Sequence, residues 1–170
     1  MIELELVGVR VELPANQPIV LLREQGGVRY LPIWIGAVEA TAIAFALQGV
    51  ETPRPLTHDL FVDVLEEMDT DLAAVHITDL REGTFYAELH LVRGEESFVV
   101  SARPSDAVAL AARFQDVPIL GADEVVEEAG LELDEDDDVD VEAPAVDSEE
   151  EVREFRAFLD EVTPEDFREQ

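Results

Sequence analysis

Cysteine and lysine are both absent from the 170-residue chain. Without cysteine, a disulfide framework, a thiolate nucleophile and a thiolate-ligated metal are excluded. The chain also lacks an apolar run of about 18 residues, the length that a transmembrane helix needs, so no membrane contact is predicted. Its acidic, alternating N-terminus, residues 1–13, is unlike a signal peptide. These absences together favour a cytoplasmic protein.

Positive charge is scarce. The chain has 41 acidic residues and only 11 arginines, so its formal net charge is −30. Residues 1–130 hold 23 acidic residues and 8 arginines, and residues 131–170 hold 18 and 3, so each part carries −15. Such a surface repels phosphate backbones at long range, and it favours solubility or adaptation to salt.

The hydrophobic pattern of residues 1–130 predicts one globular domain that mixes strands and helices. Alternation predicts a first strand with a bulge near Gly8, a hairpin around Gln25-Gly26-Gly27, and a three-stranded meander from about 73 to 103. We therefore expect an α+β fold with a mixed, largely antiparallel sheet covered by helices.

Helices are predicted at four places in this domain. An alanine-rich helix follows Gly36 and ends at Gly49, and others begin near His58 and Pro104 and at Ala122. Apolar spacing assigns an inner face to the second helix, with Leu60, Phe61, Val64, Leu65 and Met68 directed at the core.

The C-terminal part, residues 131–170, has a different composition. Residues 131–148 are an acidic, low-complexity linker that we expect to be disordered, because like charges repel and little can be buried. Residues 149–170 are predicted to form an amphipathic helix that docks on its own domain or dimer mate, or on a partner protein. Its apolar face consists of Val152, Phe155, Phe158, Leu159 and Val162.

Two similar phrases begin predicted helices: "RPLTHDLF" at 54–61 and "ARPSDAVALAARF" at 102–114. One interpretation is structural: Thr57 or Asp59, and Ser105 or Asp106, cap the free N–H groups of each helix. The other is an anion site, in which Arg54 and Arg103 and the helix N-termini bind phosphate oxygens.

The second interpretation supplies a set of candidate catalytic residues. Glu39, Asp59 and Asp106 offer the oxygen ligands that Mg²⁺ or Mn²⁺ prefers, and such an ion would activate water beside a phosphate. Histidine is the side chain most often used as a general base or acid, and His58 at a helix start suits that role, whereas His76 and His90 lie within strands and are interpreted as packing or polar-face residues. Spacing alone does not say whether the two phrases converge.

Six blocks follow one another along residues 2–130: "NQPIVLLRE", "RYLPIWIG", "EATAIAFALQGV", "RPLTHDLF", "ITDLREGTFYAEL" and "SARPSDAVALAARF". Together they resemble the bifunctional nuclease family. The resemblance implies an α+β domain that cleaves both DNA and RNA and forms a homodimer, and the segment after 149 looks like the tail of actinobacterial members. It marks as the motif positions to carry over Glu39, Arg54, His58, Asp59, Arg103, Ser105 and Asp106.

Two functions are consistent with these observations. The first is a metal-assisted nuclease of low specificity, acting on single-stranded RNA or DNA, with Arg54, Arg103 and Ser105 binding the substrate. The alternative is a non-catalytic, dimeric binding or regulatory module for a small anionic ligand or a partner protein, which the acidic surface and the absence of a P-loop, zinc or serine-hydrolase motif favour.

Overall fold

The computed structural model describes residues 1–12, 17–114 and 116–132. These residues fold as one α+β unit, in which three strands, two helices, a three-stranded meander and two further helices follow in the predicted order. Two short strands, one before and one after the last helix, were not predicted. The predicted helix at 149–170 and nearly all of the predicted acidic linker lie outside the described residues.

A single mixed sheet of eight strands organises the described residues, in the spatial order β6-β5-β4-β7-β1-β2-β3-β8. Every neighbouring pair is antiparallel except β4 and β7, which run parallel. The predicted fold class is therefore confirmed. The strands are β1 (Ile2–Glu12), β2 (Gln17–Glu24), β3 (Arg29–Trp34), β4 (Asp71–Arg81), β5 (Thr84–Arg93), β6 (Glu96–Ala102), β7 (Ile119–Gly121) and β8 (Leu131–Glu132).

Most of the sheet is made of two antiparallel meanders, β1–β2–β3 and β4–β5–β6. Strand β7 lies between them and joins them, and β8 lies at the edge beside β3. The predicted bulge in β1 is confirmed, since the register with β2 shifts between Leu6 and Gly8 and Gly8 has a φ of 152°. Strand β7 pairs with β1 on one side and with β4 on the other. The sequence identified this segment only as a short apolar piece.

Four helices accompany the sheet: α1 (Ala37–Gln48), α2 (Thr57–Glu67), α3 (Pro104–Ala111) and α4 (Asp123–Ala129). Helices α1 and α3 pack against each other, α1 also against β1 and β2, and α3 against β4 and β5. Most of α3 is buried, and its alanines allow the backbone to approach the sheet closely. Gly49 ends α1 in the left-handed conformation, as predicted, with a φ of 62°.

The predicted inner face of α2 is wrong. Of its five apolar residues only Leu65 is buried, and the others are 43–54% exposed. The physical reason is the position of α2, which packs mainly on α3 and the start of the second meander and so buries one narrow stripe. The exposed residues are Leu60, Phe61, Val64 and Met68.

Among the described residues, no helix has the length and apolar character needed to cross a membrane.

Candidate functional site

The first turns of α1, α2 and α3 meet at one cavity of about 680 Å³. The segment before α2 completes the wall, so the two Arg-Pro phrases do converge on one site. Polar groups lie together at one part of the wall and apolar side chains form the rest. The lining residues are Val38, Glu39, Thr41, Ala42, Phe45, Pro55, Leu56, Thr57, His58, Arg103 and Asp106.

Each of these three helices has an acidic residue at its third position: Glu39, Asp59 and Asp106. A carboxylate in the first turn interacts favourably with the partial positive charge of a helix N-terminus. In α2 the Asp59 Oδ2 also accepts the backbone N–H of Leu56 at 2.9 Å, which is one half of a capping box.

The N-cap positions themselves are occupied by Gly36, Leu56 and Arg103, and no side-chain hydrogen bond caps any of the three helices. Capping by Thr57 and Ser105 is therefore wrong, because these residues lie inside their helices at the first and second positions.

Arg103 connects the start of α3 to the start of α1. Its Nε and Nη2 atoms donate to the two oxygens of Asp106 at 2.8 and 3.0 Å, and its Nη1 donates to Glu39 Oε1 at 2.8 Å. These bonds, first to Asp106 and then to Glu39, raise the pKa of the guanidinium well above its ordinary value. Three of its five N–H groups are thus used, and the side chain stays 65% exposed.

His58 and Asp106 form a second contact in the same cluster, with 3.3 Å between His58 Nε2 and Asp106 Oδ1. Burial alone would raise the pKa of the Asp106 carboxyl, but the hydrogen bonds from Arg103 and His58 outweigh it and hold the pKa below its ordinary value. Asp106 is therefore ionised at neutral pH. Its Oδ1 atom is suited to accept a hydrogen bond from the Nε2–H group of His58, which would fix the orientation of the imidazole ring.

Arg113, at the end of α3, was not singled out in the sequence. Its Nε donates to Asp59 Oδ1 at 2.6 Å, and its Nη1 donates to the carbonyl oxygens of Ala109 and Ala42 at 2.7 and 3.2 Å. With only 9% of its side chain exposed, it joins α1, α2 and α3 behind the cavity. One signal was available: Arg113 follows Asp106 by two helical turns, on the same side of an otherwise apolar segment.

The fold brings only some of the candidate residues to the cavity wall. Glu39, His58, Arg103 and Asp106 line the cavity, whereas Asp59 faces Arg113 beside it. Ser105 is buried and lines a neighbouring cavity. The exposed Arg54 side chain has no hydrogen bond or ion pair within the described part of the chain, and it does not line the cavity.

His76 and His90 lie apart from this site, on β4 and β5, with their ring centroids 3.7 Å apart. Burial first, and then the neighbouring His90, lower the pKa of His76. Their contact agrees with the interpretation of both residues as packing residues within strands.

The chain matches the family model of the bifunctional nuclease domain over residues 20–134, a range that contains every residue of the cavity wall. It is 52% identical over 166 residues to an uncharacterized protein of Mycobacterium tuberculosis, and the match covers 98% of both chains.

Plant proteins match over a shorter range. The chain is 30% identical over 107 residues to bifunctional nuclease 1 of Oryza sativa subsp. japonica, and 32% identical over 107 residues to bifunctional nuclease 2 of Arabidopsis thaliana. Each match covers 61% of this chain and 32% of the plant protein. The chain thus spans about a third of the length of these plant relatives.

Proposed function

Because the chain belongs to the bifunctional nuclease domain family, we propose that it is a nuclease of low specificity that hydrolyses phosphodiester bonds in RNA and DNA. The observation that carries this proposal is the convergence of His58, Asp106, Arg103 and Glu39 on one cavity, from three helix starts that are far apart in sequence.

His58 is the general base in this proposal. With Asp106 ionised, the imidazole donates its Nε2 proton to Oδ1, which leaves Nδ1 as the acceptor. A water molecule beside Nδ1 loses its proton to that nitrogen as it attacks the phosphorus atom. The bond to the leaving oxygen breaks, its electron pair stays on that oxygen, and a proton from solvent neutralises the oxygen. Asp106 is a positioning residue that keeps the ring in the correct tautomer.

Arg103 holds the phosphate. Two of its N–H groups are left over from the bonds to Asp106 and Glu39, and the exposed guanidinium can direct them at non-bridging phosphate oxygens. The two carboxylates fix the guanidinium plane before substrate binds, so less side-chain freedom is lost on binding.

Metal assistance by Mg²⁺ or Mn²⁺ remains part of the proposal. The described residues include no group of three or more His, Asp or Glu side chains arranged to hold a metal ion. Glu39 and Asp106 nevertheless provide two carboxylates at one place, and Mg²⁺ is commonly bound by one or two carboxylates together with substrate phosphate oxygens. Bound in this way, the ion would offset negative charge on the phosphate.

The test is cleavage of end-labelled single-stranded RNA and DNA by highly purified full-length protein, with Mg²⁺, with Mn²⁺ and with EDTA. Asp106→Asn should abolish most of the cleavage. Asp79→Asn is the matched control, because Asp79 also pairs with an arginine, Arg81, but on β4 away from the cavity. Equal cleavage by wild type and Asp106→Asn would place the activity elsewhere or in a contaminant.

A second candidate function is a non-catalytic module that binds a small anionic ligand. The cavity favours it, because about 680 Å³ with a largely apolar wall and one polar end is typical of small-molecule sites. A thermal-shift screen of nucleotides and metabolites tests it, and stabilisation by a ligand combined with no cleavage under any condition would favour this function.

We also propose a homodimer that forms through strand β6. This strand is one edge of the sheet and leaves Phe98, Val99 and Val100 exposed, and an apolar edge strand favours pairing with a second copy. Sedimentation of wild type against Val99→Lys tests this, since a charged edge should yield monomers. A cytoplasmic location stays a prediction.

A further inference from the structure

A second cavity, of about 290 Å³, lies on the other side of Arg103. Arg103 lines both cavities, and the first turns of α1 and α3 separate them: Gly36 and Ser105 face the second cavity, and Glu39 and Asp106 face the first. The Arg103–Glu39 ion pair thus lies between the two cavities.

The outer wall of the second cavity is aromatic. It contains Trp34 at the end of β3 and Phe85 near the start of β5, directly after the turn at Glu82 and Gly83. Trp34 is 48% exposed although its neighbours Ile33 and Ile35 are buried, because alternation directs it away from them. A half-exposed indole that shares a cavity wall with an arginine can offer a ring face to a ligand.

The charge of the protein makes this wall important for a polyanionic substrate. With a formal net charge of −30, long-range attraction to phosphates is absent, and Arg103 is already shared by two carboxylates. The contact between Arg103 and a phosphate must therefore be supplemented by contacts that do not involve phosphate. Stacking of bases on aromatic side chains is such a contact, and it does not depend on the base sequence.

We propose that Trp34, with Phe85, forms a stacking subsite for the nucleobase adjacent to the phosphate that Arg103 contacts. This inference rests on the proposed nuclease function and extends it to a substrate class. Paired bases in a duplex are stacked on their neighbours and cannot lie against the indole, so the strand must be single or locally unpaired. The ribose 2′-hydroxyl has no role in stacking, so DNA and RNA bind alike.

Trp34 is the only tryptophan of the chain, so its fluorescence reports on this subsite alone. We would titrate the full-length protein in EDTA, which suppresses metal-assisted cleavage, with oligothymidylate, oligouridylate, an abasic oligonucleotide of the same length and a blunt duplex. The two single strands should quench the emission and shift its maximum. The abasic strand and the duplex should leave it unchanged. Equal quenching by the abasic strand, or no change at saturating oligothymidylate, would overturn the subsite.

Variants at Trp34 test the stacking subsite by a second method. The affinity of each variant for a single-stranded oligonucleotide is measured from the fluorescence anisotropy of a label on the oligonucleotide. Trp34→Ala should weaken binding about 5- to 150-fold, and Trp34→Phe, which keeps a stacking ring, should stay close to wild type. Tyr86→Ala removes an exposed aromatic residue from β5, outside both cavities, and should bind as wild type does. Wild-type affinity of Trp34→Ala would overturn the proposal, and circular dichroism checks that each variant is folded.

The outcomes separate this inference from the nuclease function. Cleavage by the wild type without any response of Trp34 would remove the subsite and keep the nuclease. Base-dependent quenching without cleavage in Mg²⁺ or Mn²⁺ would keep the subsite and remove the nuclease.

Discussion

His58 Nε2 lies 3.3 Å from Asp106 Oδ1, although the two residues are 48 positions apart and begin different helices. This pair allows a direct test of catalysis. His58→Ala removes the proposed general base and should lower the cleavage rate about 10²- to 10⁴-fold. His90→Ala is the matched control, because His90 is also partly buried but lies on β5 outside the cavity. Single-turnover cleavage of a labelled oligonucleotide measures both, and a similar loss in the two variants would indicate a general effect on folding.

Arg113 should contribute to stability more than any surface arginine. Arg113→Ala removes the donor to the Asp59 Oδ1 atom and a donor to the Ala42 carbonyl oxygen, so the free energy of unfolding should fall by about 1–3 kcal/mol. Arg81→Ala breaks an exposed pair with Asp79 and should cost less than about 1 kcal/mol. Urea unfolding compares the two variants. Equal losses would mean that Arg113 does not hold the three helices together.

Acid should selectively remove the contribution of Asp59 to stability. Burial alone would raise the pKa of this carboxyl, but the hydrogen bonds from Arg113 and from the Leu56 N–H outweigh it, and the pKa lies below its ordinary value. A lowered pKa in the folded state stabilises the protein above the ordinary pKa, and the contribution disappears as pH falls through the folded-state pKa.

We therefore expect Asp59→Asn to be less stable than wild type at neutral pH, with the difference shrinking below about pH 4. Asp71→Asn is the control, since Asp71 is exposed and has no ion pair among the described residues, and its difference from wild type should be small throughout. Urea unfolding at several pH values measures both. A difference for Asp59→Asn that does not change with pH would contradict the assignment.

The exposed face of α2 gives a prediction about the C-terminal segment. We propose that the segment 149–162, whose sequence predicts an apolar helical face, docks on the exposed residues Leu60, Phe61, Val64 and Met68, because burying one apolar face against another is favourable. Deletion of residues 133–170 and Phe61→Ser should each lower the melting temperature, and the two effects together should be less than additive.

Val28→Ser changes an exposed turn residue and serves as the control for Phe61→Ser. An unchanged melting temperature after the deletion would argue against docking on the chain's own domain. The helix would then be free for a partner protein, which pull-down with the isolated segment would detect.

Much of the fold could be predicted because local signals agreed with it. Alternation located both meanders, Gly8 marked the bulge, and Gly49 marked the end of α1. The exposed face of α2 could not be predicted, because a periodic stripe shows that a face is apolar but not what lies against it. Strand β7 was missed as a strand because three residues are too few for a periodic signal, and its pairing partners are distant in sequence.

The candidate site was predictable in composition and not in geometry. Arg-Pro followed by an acid marked the start of two helices, and the acid at the third position recurs at Glu39 in a helix without that phrase. The contacts of Arg103 with Glu39 and of Arg113 with Asp59 span 64 and 54 positions, so they exist only after the helices pack. Trp34 and Arg103 likewise share a cavity wall only in the folded chain.

Strand β7 has a consequence for the order in which the protein can fold during synthesis. The two meanders share no direct strand pairing, and residues Ile119–Gly121 are what joins them in the sheet. Until these residues leave the ribosome, β1 has β2 as its only strand neighbour, and no strand pairing joins the two meanders. The nascent chain therefore emerges as two separate sheets, and the single eight-stranded sheet closes only when the segment after α3 has been synthesised.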